Sequence, residues 1–219
     1  MLLGKLFGHL ARLARRAADG TPLDLPEVPR RHGSWHHADL DWLTAKVAAV
    51  PGDFAEIGVF RGAAFRRVAT RAAAQHKLAH AFDSFAGMAE PGPADGTAYP
   101  KGMFDIGGSD AFVALMDKAG VPREHYRLWA GYVPDCLNTA PPELRFSFVI
   151  LDLDHYQPTV EALHWLTPRI NAGGLLALDD FVPAGDGLAT RAIREFLATD
   201  RAFAKLAFFN QQLILRKRD

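Results

Sequence analysis

Between Pro51 and Phe181 the chain alternates repeatedly between short apolar runs and longer stretches of helical periodicity, and this alternation restricts the fold more than any other feature. "DFAEIGVF" reads as a strand, "AAFRRVATRAAAQ" as a helix and "KLAHAFD" as a strand. After a long loop come a helix at "DAFVALMDKAG", strands at "YRLWAG" and "FSFVILD", a helix at "TVEALHWLTPRI" and a strand at "GLLALDD". Strand followed by helix, again and again, predicts an α/β fold: a doubly wound, Rossmann-like, mostly parallel sheet with helices on both faces. The rhythm breaks at the C-terminus, where the helix "ATRAIREFLATD" leads into "FAKLAFFN" and "QLILRKR". Those two runs predict a terminal hairpin and one edge strand antiparallel to the rest.

With 219 residues there is room for one such domain and an extension, which places the N-terminal helix, arm and leading helix at 1–50 and the domain at 51–219. The extension holds a basic amphipathic helix, in which Leu2, Leu3, Leu6, Phe7, Leu10 and Leu13 lie beside Lys5, Arg12, Arg15 and Arg16. A Pro-rich arm follows, then a leading helix at "DLDWLTAKVAAV". The first helix suits packing on the domain, a homodimer interface or a membrane surface, but Lys5 and His9 interrupt it too early for a transmembrane span. With 25 basic and 25 acidic residues the formal net charge is zero, which argues against nucleic acid as a partner. The lone cysteine, Cys136, excludes an intramolecular disulfide and a thiolate cluster and suits a reducing cytoplasm; it reads as a buried hydrophobe.

The loop Ser84 to Ser109 is too long for an ordinary connection. Following the second strand, it falls over the carboxyl ends of the sheet, where open α/β folds bind ligands, and reads as a lid lined by Met88, Tyr99, Met103 and Phe104. The turn "EIGVFRG", Glu56 to Gly62, opens the first helix. Gly58 allows a tight turn and close approach of a ligand, and Gly62 lets the helix press on the strand. Glu56 stands where a dinucleotide fingerprint has its first glycine, which argues against a nicotinamide dehydrogenase. A carboxylate there repels a pyrophosphate and attracts an ammonium. Asp83 ends the next strand 25 residues beyond Gly58, where an acidic side chain accepts ribose hydroxyls. A nucleoside with an amino group and no pyrophosphate describes S-adenosylmethionine. The alternatives are structural: a salt bridge from Glu56 to Arg61, and a cap for Asp83.

Two further strands end in paired carboxylates, Asp152 and Asp154 in "FVILDLDHY" and Asp179 and Asp180 in "LLALDDF". Adjacent parallel strands would bring these ends together, and several carboxylates cannot share a partly buried pocket without a cation. Oxygen donors without a histidine or cysteine cluster suit Mg²⁺ better than zinc. Capping of the following helices would explain one aspartate per turn but not two. Asp154 is a candidate general base and His155 its rival, on the opposite face if the strand continues that far. His36 and His37, beside Trp35, read as surface residues, with acceptor contact as a lesser idea.

"FAEIGVFRG", "FDSFAGM", "LDLDHYQPT" and "LALDDF", in this order and spacing, resemble the macrocin O-methyltransferase family of metal-dependent class I enzymes, from about Pro51 to Phe196. The resemblance implies a seven-stranded sheet and methylation of a hydroxyl on a sugar-bearing natural product. It places Glu56, Gly58, Arg61, Gly62, Asp83, Ser84 and Gly131 around S-adenosylmethionine, Asp152, Asp179 and Asp180 at Mg²⁺, and Asp154 as the base. Pro158-Thr159 and Phe181 depart from the family pattern around the acceptor. A catechol-like phenol as acceptor, and a noncatalytic cofactor-binding module, are the competing readings.

Overall fold

The computed structural model describes residues 35–182, 187–209 and 211–219. The expected N-terminal amphipathic helix, the proline-rich arm up to residue 34 and any dimer contact through them lie outside the described residues.

Helix α1 (His37–Lys46) precedes strand β1 (Asp53–Ile57), helix α2 (Phe65–Ala73) and strand β2 (Ala79–Asp83). Then come α3 (Ser109–Lys118), a short 3₁₀ turn (Arg123–His125), β3 (Tyr126–Ala130), α4 (Asp135–Asn138) and β4 (Phe146–Leu151). The chain closes with α5 (Tyr156–Leu166), β5 (Ile170–Leu178), α6 (Leu188–Thr199), β6 (Phe203–Phe209) and β7 (Gln212–Lys217). The seven strands form one sheet in the order β3-β2-β1-β4-β5-β7-β6.

Strands β1 to β5 are parallel, and β7 runs antiparallel to both β5 and β6. The antiparallel strand is therefore not at the edge, as the sequence suggested. β7 inserts between β5 and β6, pairing Leu178 with Leu213 on one side and Phe208 with Leu213 on the other. Its pattern "QLILRK" is buried over the first four residues, which suits an interior position, whereas β6 carries the exposed Lys205 of an edge strand.

Apolar residues fill both faces of the sheet. On one face Leu40 and Leu43 of α1, Val47 directly after it, and Phe65, Val68 and Ala72 of α2 join Phe54, Phe148 and Ile150. On the other, Leu163 and Leu166 of α5 and Ile193 of α6 join Ile57, Val149 and Leu151. The helices follow from spacing: in α2, Phe65, Val68, Ala69 and Ala72 fall at i, i+3, i+4 and i+7 and are buried. Arg67 on the outer side of α2 bonds to Asp41 on α1, its Nε 2.7 Å from Oδ1, so the leading helix is fastened to the sheet's own core. Strand order reverses between β1 and β4, which opens a crevice at their carboxyl ends. No helix of the described residues is long and apolar enough to cross a membrane.

Candidate active site

The exit of β1 carries Glu56, which is 4% exposed and has no hydrogen-bond partner for Oε2. Burial, and then the Asp83 and Asp179 carboxylates, hold its pKa well above the ordinary value. Arg61 does not pair with it: its guanidinium lies over the Phe60 ring, 5.2 Å from the centroid. The two glycines of this turn are also held by distant contacts. A Cβ on Gly58, where φ is +83°, would lie 1.6 Å from the backbone oxygen of Asp152, so this glycine lets the exits of β1 and β4 touch. A Cβ on Gly62, where φ is +74°, would meet Met116 at 2.5 Å and Phe112 at 2.9 Å, so its constraint comes from α3 rather than from β1.

Asp83 knits three loops together. Its Oδ2 accepts the backbone N–H groups of Val59 (2.6 Å) and Phe60 (2.9 Å), and Oδ1 accepts that of Phe85 (2.7 Å). A carboxylate has about four lone-pair sites, so a ribose hydroxyl can still be accepted. Ser84 Oγ donates to the carbonyl of Gly87 at 2.7 Å and accepts from the amide of Ala86 at 3.2 Å, shaping the long loop. Gly131 donates its N–H to the carbonyl of Asp83 at 2.9 Å and lines the cavity.

β4 ends at Leu151, so Asp152 to His155 form a turn and strand alternation does not decide where their side chains point. Asp154 and Asp180 have φ of +58° and +54°, a left-handed backbone that aspartate tolerates better than most residues and that gathers at functional sites. Oxygens of Asp152, Asp154 and Asp180 lie within 4.8 Å of one another. This tight trio exchanges Asp154 for Asp179 relative to the implied metal set. Asp179 remains next to it, with Oδ1 accepting the Asp180 N–H at 3.1 Å. Burial, with the neighbouring carboxylates adding to it, raises three of them: Asp152 stands well above its ordinary pKa, Asp154 is pushed up to about 8 and Asp179 to about 6. Burial, together with Asp154 and Asp180, likewise pushes the Tyr99 phenol up to about 12.

None of these four aspartates caps α5. That role falls to Asp95, 2% exposed, from the long loop: Oδ1 accepts the Tyr156 N–H at 2.6 Å and Oδ2 that of Gly92 at 2.9 Å. His155 Nε2 lies 3.0 Å from the carbonyl oxygen of Tyr99, and a carbonyl partner requires the proton on Nε2. His155 and Asp95 thus fasten the loop to the carboxylate turn. Sequence reasoning missed Asp95, one aspartate among several in a loop. It also missed Gln212, 1% exposed at the start of β7, whose side chain tempers the rise in the Asp179 pKa.

These elements enclose a cavity of about 690 Å³. Glu56, Asp83, Glu90, Asp95, Asp152, Asp154, Asp179 and Asp180 line it together with Trp35, Met88, Phe104 and His155, and among the described residues no lysine or arginine does. Of the expected lid residues, Met88 and Phe104 reach the cavity and Met103 is exposed beside it. His36 and His37 do not line it. Cys136 is buried, and burial pushes its thiol up to about 12, so it is no nucleophile. An acid-rich cavity fits cationic ligands, and a donor set of carboxylates fits a hard dication.

The fold and this crevice define a class first: the doubly wound methyltransferase architecture. The O-methyltransferase NovP superposes with a TM-score of 0.72 over 99% of this chain and 100% of that chain, at 19% identity. More narrowly, the chain belongs to the macrocin-O-methyltransferase (TylF) family, whose sequence model matches residues 36–208. Among curated relatives it is 34% identical over 148 residues to the 8-demethyl-8-(2,3-dimethoxy-alpha-L-rhamnosyl)-tetracenomycin-C 4'-O-methyltransferase of Streptomyces olivaceus, covering 63% of this chain and 56% of that protein. It is 28% identical over 144 residues to the demethyldecarbamoylnovobiocin O-methyltransferase of Streptomyces niveus, covering 61% of this chain and 54% of that protein. The matched stretch therefore spans about half the length of these curated relatives.

Proposed function

We propose that this chain is an S-adenosylmethionine-dependent, Mg²⁺-assisted O-methyltransferase that methylates a hydroxyl on the sugar of a glycosylated natural product. The observation that carries this reading is the cavity wall of eight acidic side chains, with no lysine or arginine among the described residues, in a member of this family. A sulfonium donor with an ammonium group and a divalent cation are the charges such a wall accepts. The relatives' names, which include a rhamnosyl substrate, support a sugar hydroxyl as the acceptor.

Glu56, with its unpaired Oε2, would receive the ammonium of the methyl donor, and Asp83 a ribose hydroxyl. Asp152, Asp179 and Asp180 would hold Mg²⁺, leaving Asp154 beside them as proton acceptor. The cation supplies a Lewis acid that lowers the pKa of the acceptor hydroxyl. That hydroxyl gives its proton to Asp154 as its oxygen bonds to the methyl carbon and the carbon–sulfur bond breaks. The cavity walls align oxygen, carbon and sulfur, which is where most of the acceleration arises. His155, with Nε2 engaged by Tyr99, holds the loop rather than taking the proton.

The test is transfer of labelled methyl from S-adenosylmethionine to a panel of glycosides and catechols, after chelation and after Mg²⁺ is restored. Transfer to glycosides that disappears with EDTA and returns with Mg²⁺ is expected. Preference for catechols, or full activity in EDTA, would refute the reading.

A further inference from the structure

Asp154 is the proton acceptor in the reading above, yet nothing in its own turn keeps it from becoming a metal ligand. One of its oxygens lies within 4.8 Å of oxygens of Asp152 and Asp180, close enough for a single cation to gather all three carboxylates. A carboxylate drawn onto a hard dication gives up the lone pair that a proton acceptor needs. A base beside a metal site must therefore be held off the metal.

The group placed to do so comes from the long loop. The carbonyl oxygen of Tyr99 lies 3.0 Å from Nε2 of His155, the residue that follows Asp154, and the Tyr99 ring meets the imidazole edge to face with centroids 6.1 Å apart. Its other neighbour in the loop is Phe104, with ring centroids 6.2 Å apart. The loop around Tyr99 is itself braced: Met88 donates its N–H to the carbonyl of Met103 at 2.8 Å, Gly102 donates to Met88 at 2.9 Å, and Asp95 caps α5. Held in this way, the phenol stands within hydrogen-bonding reach of the Asp154 carboxylate. Tyr99 is not among the residues that line the cavity, so it meets Asp154 from outside the space a substrate would occupy.

Asp154 has two side-chain partners. Burial and then Asp180 disfavour its charged form, and the hydrogen bond from Tyr99 favours it. Asp180 is a carboxylate that a cation at this site would claim. A phenol keeps its proton at neutral pH and remains a donor. With the cation bound, Tyr99 is the partner left to Asp154.

Resting on the Mg²⁺-assisted methyltransferase reading above, we propose that Tyr99 is the positioning residue for the proton acceptor: its phenol donates to one carboxylate oxygen of Asp154, holds that carboxylate off the cation and leaves the other oxygen for the acceptor hydroxyl. The long loop thereby completes the site as well as bordering it.

The experiment compares the full chain with Tyr99→Phe, which removes only the hydroxyl, and with Asp95→Ala, which loosens the same loop and keeps the phenol. Mn²⁺ affinity is measured on the chain loaded with S-adenosylhomocysteine, from the resonance signal of free Mn²⁺, alongside the affinity for S-adenosylhomocysteine itself. Methyl transfer to the fastest glycoside of the panel above gives kcat and KM. Tyr99→Phe should bind Mn²⁺ at least about threefold more tightly, because the freed Asp154 adds a charged ligand. Its kcat should fall roughly tenfold or more, the worth of a hydrogen bond to a charged group, with KM and the affinity for S-adenosylhomocysteine unchanged. Asp95→Ala should raise KM and leave Mn²⁺ affinity as it was. A merely structural Tyr99 would weaken both metal binding and turnover, or raise KM alone as Asp95→Ala does. Either of those results, an unchanged kcat, or Mn²⁺ binding no tighter than in the unsubstituted chain would overturn the proposal. Failure of the unsubstituted chain to bind S-adenosylhomocysteine, or turnover that survives EDTA, would instead remove the reading on which it rests.

Discussion

The two ends of the sheet treat charge in opposite ways. At the amino end a network around Lys77, His80 and Asp53 answers its own charges. Lys77 Nζ donates to the carbonyls of Val50 (2.5 Å) and Val47 (3.2 Å) and to Ser147 Oγ (2.9 Å). His80 lies between Trp129, whose Nε1 donates to Nδ1 at 3.0 Å, and Asp53, whose Oδ2 is 3.0 Å from Nε2. At the carboxyl end Glu56 is buried and unpaired, and Asp152, Asp154 and Asp180 crowd together. The first arrangement is complete as it stands, the mark of a structural network. The second needs its like charges neutralised, by protons in the free protein or by bound cations, and that difference is what separates a site from a scaffold.

Substituting one residue at each end breaks the comparison most sharply. Asp152→Asn should lower kcat by roughly a hundredfold or more, because it weakens the charge that holds the reacting groups, with little effect on folding. Steady-state methyl transfer and a denaturation curve on the same sample would check both halves. His80→Ala should do the reverse. It leaves Asp53 and the Trp129 N–H buried without their partner and should cost about 2–4 kcal/mol in urea unfolding while S-adenosylhomocysteine binds as before.

The pH dependence of stability should also differ in sign between the two ends. Asp154 and Asp179, raised to about 8 and about 6 from an ordinary 3.8, keep protons in the folded chain that the unfolded chain releases. In the cation-free protein they therefore make stability fall as pH rises from about 4 to about 8, and saturating Mg²⁺ should flatten the slope. Burial alone would raise Asp53, but the hydrogen bonds from His80 and the Leu78 N–H, with the nearby charges of His80 and Lys77, outweigh it and lower its pKa. Its contribution is present above 3.8 and is lost as pH falls through the lowered value. Unfolding midpoints across this range, with and without Mg²⁺, measure the slope; stability that rises with pH in the cation-free protein would contradict the crowding at the carboxyl end.

The smallest effect concerns the loop. Asp95→Ala removes the cap on α5 and should cost about 1 kcal/mol. Hydrogen exchange should quicken across 85–108 and leave β1 and β4 unchanged.

Much of this was legible in the chain because parallel strands buried on both faces write continuous apolar runs, as in "FVIL", and because a strand's exit is where its polar residues begin. The carboxylate pairs could be read for that reason. What escaped reading depends on distant contacts. Gly58 reads as a ligand-facing glycine and does line the cavity, but its second constraint, Asp152 at 1.6 Å from the Cβ it lacks, is not local. Asp95 has no local pattern to mark it, since its partner, Tyr156, is 61 residues away. The place of β7 between β5 and β6 follows from how the hairpin docks, which periodicity cannot encode.

The most direct test of the account is thermal unfolding of the chain with S-adenosylmethionine, S-adenosylhomocysteine or NAD, each with and without Mg²⁺. A specific ligand at about 100 times its Kd adds ~2.7 kcal/mol and should raise the midpoint by roughly 5 to 10 °C in a chain of this size. The acidic cavity predicts that shift with the two adenosyl ligands and none with NAD. A shift with NAD alone, or with no ligand at all, would mean that the unpaired Glu56 and the carboxylates around it do not form a site for a cationic methyl donor.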